Sequence, residues 1–316
     1  MDNKISVIER NGTWKLTVLP KNARKIGVKW IYKTKLNEKG EVDKYKARLV
    51  EKGYTQQHGI GYIKVFTPMA RWDTIQIVLT MVAQRKWKMY QLDIKSAFLH
   101  RELDEDVYVE QSFGYEKKGE EYKVFKLKKA LYGLKQAPRA WFSRIESYFF
   151  KEWFVRCPSE HTLFVKTQGE GKILVVSLYV DDLVFTGNNE EMFAEFKALM
   201  KREFGMTDLG KMKFFLGVEV VQNDEGIYLS QKKYALEILE RFSLENANSV
   251  RNLMVLGIKL MKNEDGKQVD MTKYKQMVCS FMYLSVTRPD LMFMVSLVSR
   301  YMERLIIYIC RLSREF

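Results

Sequence analysis

The sequence predicts an α+β fold with an antiparallel sheet, because β-hairpins alternate with helical segments along the chain. Residues 27–56 and 213–231 each contain two runs of alternating polarity around a turn-forming sequence, which is typical of a hairpin. Between and after these hairpins, apolar residues recur at the spacing of one helix face. This order of elements argues against a doubly wound parallel sheet.

The first hairpin is predicted to turn at residues 37–40 and the second at residues 224–226. Residues 21–52, around the first turn, contain eleven lysines or arginines and four acids. A hairpin this basic suits contact with the phosphates of a nucleic acid, and a solvated hairpin face is the alternative.

Two helices are predicted in the first half of the chain, and a third begins near its middle. In residues 67–87, four apolar side chains fall on one side of a helix: Ile75, Val78, Leu79 and Val82. A buried strand that ends at Asp93 is then predicted to run into a second helix. Pro138 suits the first turn of the third helix, where no amide hydrogen is needed.

The second half continues this alternation. A stretch that follows the sequence ILVVSLYVDDLVFTGN is predicted to be a helix, capped by Asn188 or Asn189 and ended by Gly205. A further helix follows the second hairpin. Residues 274–302 are predicted to be mostly helical, with a break at residues 288–290.

The charge balance favours a polyanionic partner. The net charge of the 316-residue chain is +14, and basic side chains that neutralise phosphates release condensed counterions. Residues 126–144 contain six lysines or arginines, no acid, and the aromatic residues Tyr132, Trp141 and Phe142. This mixture predicts a surface that contacts a nucleic-acid backbone and its bases. A basic protein unrelated to nucleic acids is the alternative.

The cysteines and the apolar runs bear on cellular location. Cys157, Cys279 and Cys310 lie far apart, which argues against a structural zinc site and a disulfide framework. The N-terminal residues lack the apolar core of a signal peptide. The apolar runs are shorter than the ~20 residues of a membrane span. We therefore expect an intracellular, cytoplasmic protein that is neither secreted nor bound to a membrane.

The sequence YVDD places Asp181 and Asp182 between two apolar runs, and Asp93 ends another apolar strand upstream. Burying ionised carboxylates costs free energy unless a cation compensates, and Mg²⁺ prefers carboxylates together with phosphate oxygens. If the two strands are neighbours in one sheet, their acids can hold two metal ions for phosphoryl transfer. An Asp-Asp turn that points into water is the alternative.

These segments together resemble the reverse transcriptase of Ty1/copia-type long-terminal-repeat retrotransposons. The resemblance runs from residue 14 to residue 302, and its most specific strings are YKARLVEKGYTQ, QLDIKSAFLH, KLKKALYGLKQAPRAW, SLYVDDLVFTGN and MYLSVTRPDL. It implies a right-hand polymerase with fingers, palm and the start of a thumb. Residues 14–245 would form the fingers and palm, after an N-terminal segment of residues 1–13. Residues 246–316 would form a thumb-like or connection-like helical segment with an atypical, truncated end.

The resemblance also implies the site. Asp93, Asp181 and Asp182 would be the catalytic, metal-binding carboxylates, with Mg²⁺ or Mn²⁺ as the cofactor. Phe98 would crowd the 2′ position of the nucleotide sugar, and an ordinary core phenylalanine is the alternative. Other residues are implied to bind the dNTP substrate: Lys46 and Arg48 at its triphosphate, with Gln136 and Tyr179. The implied partner is an RNA or DNA template with its primer, and the implied setting is a virus-like particle.

The sequence departs from the family pattern in several places. Gly61, Ile63 and Lys64 replace residues that are usually acidic, and Cys279 stands where glycine is common. Residues 303–316 leave the pattern, and no ribonuclease H, protease or integrase segment is present. We interpret the chain as a fragment or decayed copy of a larger polyprotein. Two hypotheses stay open: an RNA-directed DNA polymerase, and an inactive nucleic-acid-binding relic.

Overall fold

The computed structural model describes residues 1–36, 41–94, 96–248, 270–300 and 302. These residues form two compact units. One unit consists of Met1–Val82 and Trp87–Lys211, and the other of Ala83–Lys86 and the described residues from Met212 onward. The predicted hairpin turn at residues 37–40 lies outside the described residues, as do residues 249–269 and the atypical end at residues 303–316.

The first unit is a mixture of strands and helices. Its strands are β1 (Trp14–Thr17), β2 (Lys25–Ile26), β3 (Val28–Leu36), β4 (Val42–Glu51), β5 (Met89–Asp93), β6 (Tyr108–Val109), β7 (Val124–Leu127), β8 (Val155–Arg156), β9 (Leu163–Gln168), β10 (Lys172–Tyr179), β11 (Asp182–Gly187) and β12 (Thr207–Lys211). Its helices are α1 (Asp2–Arg10), α2 (Trp72–Gln84), α3 (Ala137–Lys151) and α4 (Glu190–Phe204).

The central sheet of this unit is antiparallel, as predicted. Within the described residues its six strands follow the order β12-β5-β11-β10-β9-β8. A four-stranded sheet, β1-β7-β6-β2, contains one parallel pair, β2 with β6, and β3 pairs with β4 as a long hairpin. The α+β class with an antiparallel sheet is therefore confirmed.

A cluster of buried apolar side chains packs the central sheet against α3 and α4. The middle of β10 is buried residue after residue, because both faces of the sheet are covered. Val176 of β10 and Phe185 of β11 belong to the same cluster of buried side chains as Trp141 of α3 and Phe196 of α4. The strongly apolar runs around YVDD thus position the two aspartates at the end of a rigid, buried strand pair.

The helix predictions are mostly confirmed. Helix α2 buries the four predicted side chains, and α3 has proline in its first turn. Asn189 caps α4 by accepting a hydrogen bond from the Met192 amide at 2.9 Å, and Gly205 ends the helix with φ of +61°. The predicted helix after Asp93 is only one 3-10 turn, Ala97–His100, because Ser96 before it has φ of +64°.

The N-terminal segment is part of the first unit, which the sequence did not predict. Ile8 of α1 is 0% exposed and belongs to the main core cluster with Leu49 and Leu99. Helix α1 thus contributes a core side chain to this unit. The predicted division at residue 13 stays a prediction.

The second unit has its own core. Its elements are β13 (Phe214–Phe215), β14 (Val218–Gln222), β15 (Ile227–Ser230), α5 (Lys232–Phe242), α6 (Met271–Leu284) and α7 (Met292–Ser299). The predicted hairpin is β14–β15, and the predicted break is the 3-10 turn Pro289–Leu291. The predicted boundary at residue 245 falls inside this unit, because Phe242 of α5 packs with Phe281 of α6 and Val295 of α7.

Among the described residues, no helix is both long enough and apolar enough to cross a membrane.

Glu51 is a buried acid at the end of β4. Its register partner is Val28, and alternation along β4 puts it on the same face as the buried Leu49. Glu51 is 2% exposed, and neither carboxyl oxygen has a hydrogen-bond partner among the described residues. Burial raises the pKa of this carboxyl well above its ordinary value of 4.5, so the folded state keeps its proton to higher pH than the unfolded chain does.

Glu51→Gln should therefore flatten part of the pH dependence of stability. Between pH 4.5 and the raised pKa of the folded state, Glu51 is ionised in the unfolded chain and protonated in the folded chain. The folded state binds more protons, so its stability falls as pH rises towards the raised pKa, by up to ~1.4 kcal/mol per pH unit. Urea unfolding at pH 5 and pH 8 should show a smaller loss for Glu51→Gln than for the parent chain.

Asp43→Asn, at an exposed position on the same strand, is the matched control and should keep the parental loss. Parallel pH profiles for the parent and Glu51→Gln would contradict the assignment of a raised pKa to this buried group.

Candidate active site

A two-residue turn, Val180 and Asp181, joins β10 to β11, with Tyr179 and Asp182 as the facing register pair. Val180 has φ of +51°, which is unfavourable for a β-branched residue. Its carbonyl accepts a hydrogen bond of 2.6 Å from the indole Nε1 of Trp141, a side chain that is 1% exposed. A buried indole thus holds the strained turn that presents the acids.

The three predicted acids meet at one end of two neighbouring strands. Asp182 is the register partner of Asp93, because β11 pairs antiparallel with β5. The amide of Ile94 donates to the Asp181 carbonyl at 3.1 Å, which ties the turn to the chain just after Asp93. The predicted adjacency of these strands is confirmed.

The electrostatics of this end of the sheet favour a cation. The amide of Gln91 donates to Asp182 Oδ1 at 3.2 Å. Burial and the neighbouring Asp181 nevertheless raise the pKa of the Asp182 carboxyl, with a smaller contribution from Asp93, while the Gln91 hydrogen bond opposes them. A divalent cation would relieve this repulsion, and carboxylate oxygens are the ligands that Mg²⁺ prefers.

The side chains fit such a cation by chemistry and charge, but they do not form a closed ligand cage. Within the described residues, no three His, Cys, Asp or Glu side chains are grouped as metal ligands. The assignment of Asp93, Asp181 and Asp182 to a metal site therefore stays a prediction.

A cavity of about 530 Å³ opens beside the acids, entirely within the first unit. Asp93 and Asp181 are among the residues that line it. Its lining also includes four cations: Lys4 of α1 and Lys44, Lys46 and Arg48 of β4. Carboxylates beside cations are the arrangement that a metal-bound polyphosphate requires, because the metal and the basic side chains share the neutralisation of the phosphates.

Tyr132 lines the same cavity and was predicted only as part of a basic surface. Phe98 packs edge-on against it at 4.7 Å between ring centroids, and the Arg48 guanidinium lies 5.5 Å from its ring centroid. Burial and Asp181 raise the pKa of the Tyr132 hydroxyl, and Arg48 opposes them. Tyr132 thus lies near both a cation of the cavity, Arg48, and one of its acids, Asp181.

A glycine fixes the position of Tyr132. The Tyr132 carbonyl accepts a hydrogen bond from the Glu51 amide at 2.8 Å. Gly133 has φ of +104°, and a Cβ on it would lie 2.2 Å from the Glu51 carbonyl oxygen. Only glycine allows this close approach of the loop to β4. The string LYGLK in the sequence was therefore a local signal for the placement of Tyr132.

Four of the predicted site residues do not line this cavity: Asp182, Phe98, Gln136 and Tyr179. Phe98 is 7% exposed and lies beneath Tyr132 in the core. The Gln136 amide donates to the Gly61 carbonyl at 2.9 Å and accepts from Gln56 Nε2 at 3.0 Å. Gln136 thus anchors a neighbouring loop, and its contact with a nucleotide stays a prediction.

The basic run at residues 126–144 differs from its prediction as a phosphate-contacting surface. Four of its six cations bind protein groups: Lys126 pairs with Asp106, Arg144 pairs with Glu203, and Lys135 and Arg139 donate to main-chain carbonyls. The run has no acid in sequence, but the fold brings acids to it from elsewhere in the chain.

The β3–β4 hairpin, in contrast, has a basic face. Register pairs Lys33 with Lys46 and Ile31 with Arg48, and alternation adds Lys29 and Lys44 to the same face. Directly opposite lysines repel each other, so this face is not arranged for stability alone. We refer to Lys29, Lys33, Lys44, Lys46 and Arg48 as the basic hairpin face.

Residues 11–280 match a family model described as reverse transcriptase (RNA-dependent DNA polymerase). The chain is similar to the retrovirus-related Pol polyprotein from transposon TNT 1-94 of Nicotiana tabacum, with 36% identity over 96% of this chain and 24% of that protein. It is also similar to the Pol polyprotein from transposon RE1 of Arabidopsis thaliana, with 37% identity over 96% of this chain and 21% of that protein.

A transposon Ty5-1 protein of Saccharomyces cerevisiae is 30% identical over 67% of this chain and 69% of its own length. Among solved structures, a foamy viral protease-reverse transcriptase in complex with double-stranded DNA matches with a TM-score of 0.45 and 11% identity, covering 89% of this chain and 40% of that one. The chain spans about a quarter or less of the two plant polyproteins. On its family match and these relatives, the chain belongs to the reverse transcriptase (RNA-dependent DNA polymerase) family, in the group of Ty1/copia-type retrotransposon Pol polyproteins.

Proposed function

We propose that this chain extends a primer on an RNA template with dNTPs, and that Asp93, Asp181 and Asp182 bind Mg²⁺ or Mn²⁺ for nucleotidyl transfer. One observation carries the proposal: three acids meet at the end of β5 and β11, beside a cavity that is also lined by Lys46 and Arg48. Family membership supports the reaction class, a nucleotidyl transfer.

The residues of the cavity have distinct roles in this reaction. When bound, the divalent metal would activate the primer 3′-hydroxyl and offset the charge of the leaving pyrophosphate. Arg48 would hold phosphate oxygens with its forked donors, and Lys46 would add a point charge. Tyr132, supported by Phe98, would pack against the nucleotide between the acids and these cations.

The proposed partners are a primer and its RNA or DNA template. The basic hairpin face supports them, because five cations on one face suit a phosphate backbone. A primer-extension assay on a homopolymer RNA template, with the complementary dNTP and Mg²⁺, tests the proposal directly. Lengthened primers are the expected result.

The alternative is an inactive relic that binds nucleic acid. The buried carboxyl of Glu51, without a hydrogen-bond partner among the described residues, favours it because such a group lowers stability. A relic would bind primer–template without extending the primer.

Phe98→Ala should change sugar selection as well as stability. Removing a ring that is 7% exposed should lower the free energy of unfolding by about 3 kcal/mol or more. Tyr132 would lose the ring that supports it, so the space at the nucleotide sugar should grow. We expect the efficiency ratio of rNTP to dNTP incorporation to rise at least ~10-fold, or about 1.4 kcal/mol in differential barrier.

Phe154→Ala is the matched control, since Phe154 is 4% exposed in the same core but does not line the cavity. It should lose stability and keep the parental ratio. A folded, active Phe98→Ala chain with an unchanged ratio would leave Phe98 with a core role only.

A further inference from the structure

Lys4 lies at the cavity beside the cations assigned to the triphosphate. Its ammonium donates to Ser96 Oγ at 2.9 Å and lies 5.8 Å from the centroid of the Tyr132 ring. Arg48 lies 5.5 Å from the same centroid. Two cations from separate elements, α1 and β4, thus share one aromatic ring at the wall of a cavity that Lys46 also lines.

This grouping of like charges costs free energy in the absence of an anion. Burial lowers the pKa of the Lys4 ammonium, and the proximity of Lys46 and Arg48 lowers it further. A bound polyanion would reverse this repulsion, because each cation would then face phosphate oxygens. The nearby Asp93 and Asp181 line the same cavity, but they are the groups assigned to the metal.

The position of Lys4 along the cavity suits the tail of a nucleotide. Ser96, its hydrogen-bond partner, follows Asp93 by three residues. The Lys4 ammonium therefore contacts the chain just after Asp93 and shares the Tyr132 ring with Arg48, so a phosphate bound between the acids and Arg48 could reach it. Ser96 has φ of +64°, which is strained for a residue other than glycine, and its hydroxyl accepts the hydrogen bond from Lys4.

We propose that Lys4 is a third cationic contact for the triphosphate of the incoming nucleotide, supplied by α1 alongside Lys46 and Arg48. The inference rests on the nucleotide-binding role proposed above for this cavity. It assigns a substrate contact to the N-terminal helix, which the sequence placed outside the polymerase.

The test is equilibrium binding of inorganic tripolyphosphate to the full chain without divalent metal, measured by calorimetry. Lys4→Met removes the ammonium and keeps an unbranched apolar side chain beside Tyr132. Its affinity should fall about tenfold, as expected for one charge-assisted contact. Lys4→Arg should retain the parental affinity, and Arg10→Met, at an exposed position of the same helix, should stay within about twofold.

Ser96→Ala separates a phosphate contact from a purely structural role. If Lys4 only anchors Ser96, loss of the hydroxyl should weaken tripolyphosphate binding as much as Lys4→Met does, and this result would overturn the proposal. We expect Ser96→Ala to stay within about twofold of the parent, because the ammonium remains. Lys4→Gln is the second variant if Lys4→Met does not fold, with the same expected loss.

A primer-extension assay on the same proteins distinguishes this inference from the proposed function. If tripolyphosphate binds and Lys4→Met weakens it, while the parent chain does not extend primers, the inference stands and the polymerase proposal fails. If the parent extends primers and Lys4→Met changes neither the KM for dNTP nor tripolyphosphate affinity, only the inference fails. A parent chain that does not bind tripolyphosphate also overturns it.

Discussion

Asp181→Asn and Asp93→Asn should each reduce primer extension by roughly a thousandfold, or about 4 kcal/mol in activation free energy, because metal-ion charge stabilisation is worth several kcal/mol. Each change removes one negative oxygen from the end of β5 and β11, where the acids are tied together by strand pairing and by the bond from Ile94 to the Asp181 carbonyl. Primer–template affinity should stay within about twofold, because phosphate contacts elsewhere supply most of it.

Asp208→Asn provides a matched control on the same sheet. Asp208 lies on β12, where it is the register partner of Leu92 and pairs with Lys197 at 3.0 Å. Asp208 directly follows Thr207, which is the register partner of Asp93. If the loss of any negative charge from this sheet reduced primer extension, the Asp208→Asn variant would be impaired too. Near-parental extension by Asp181→Asn or Asp93→Asn would remove these acids from the metal site.

The placement of the acids could be predicted because its signals are local. Two apolar runs around a short polar sequence specify a buried hairpin, and an apolar strand that ends in Asp93 can join the same sheet. Helix α2 could be predicted equally well from the sequence, since its buried residues follow the helical period. The burial of Glu51 could also be predicted from the sequence, because alternation from Leu49 puts Glu51 on the core face of β4.

The grouping of Lys4 with the β4 cations at the cavity could not be predicted in the same way, because it depends on long-range contacts. Lys4 and Ser96 are 92 positions apart, and no pattern in residues 1–13 indicates that α1 contacts Ser96. The cations of residues 126–144 illustrate the converse. Arg144 pairs with Glu203 across 59 positions, so an acid-free run of sequence does not become an acid-free surface.

This difference between the two basic segments leads to a prediction for nucleic-acid binding. The basic hairpin face keeps its five cations on one side of an exposed β-hairpin. If each neutralises one phosphate of a primer–template in the absence of dNTP, the affinity should fall by about 500-fold between 50 and 200 mM salt. A filter-binding or anisotropy titration at several salt concentrations measures the slope.

Neutralising variants should assign that slope to the hairpin. Lys29→Gln with Lys33→Gln removes two exposed cations that do not line the cavity, so the slope of log affinity against log salt should decrease by about 1.8. Lys126→Gln with Arg144→Gln removes two cations that are already paired with Asp106 and Glu203, and the slope should change little. Equal slopes for both double variants, or a flat titration of the parent chain, would contradict the hairpin as the phosphate-binding surface. The comparison of the two double variants identifies the phosphate-binding surface, because both remove the same formal charge and only the position of that charge in the fold differs.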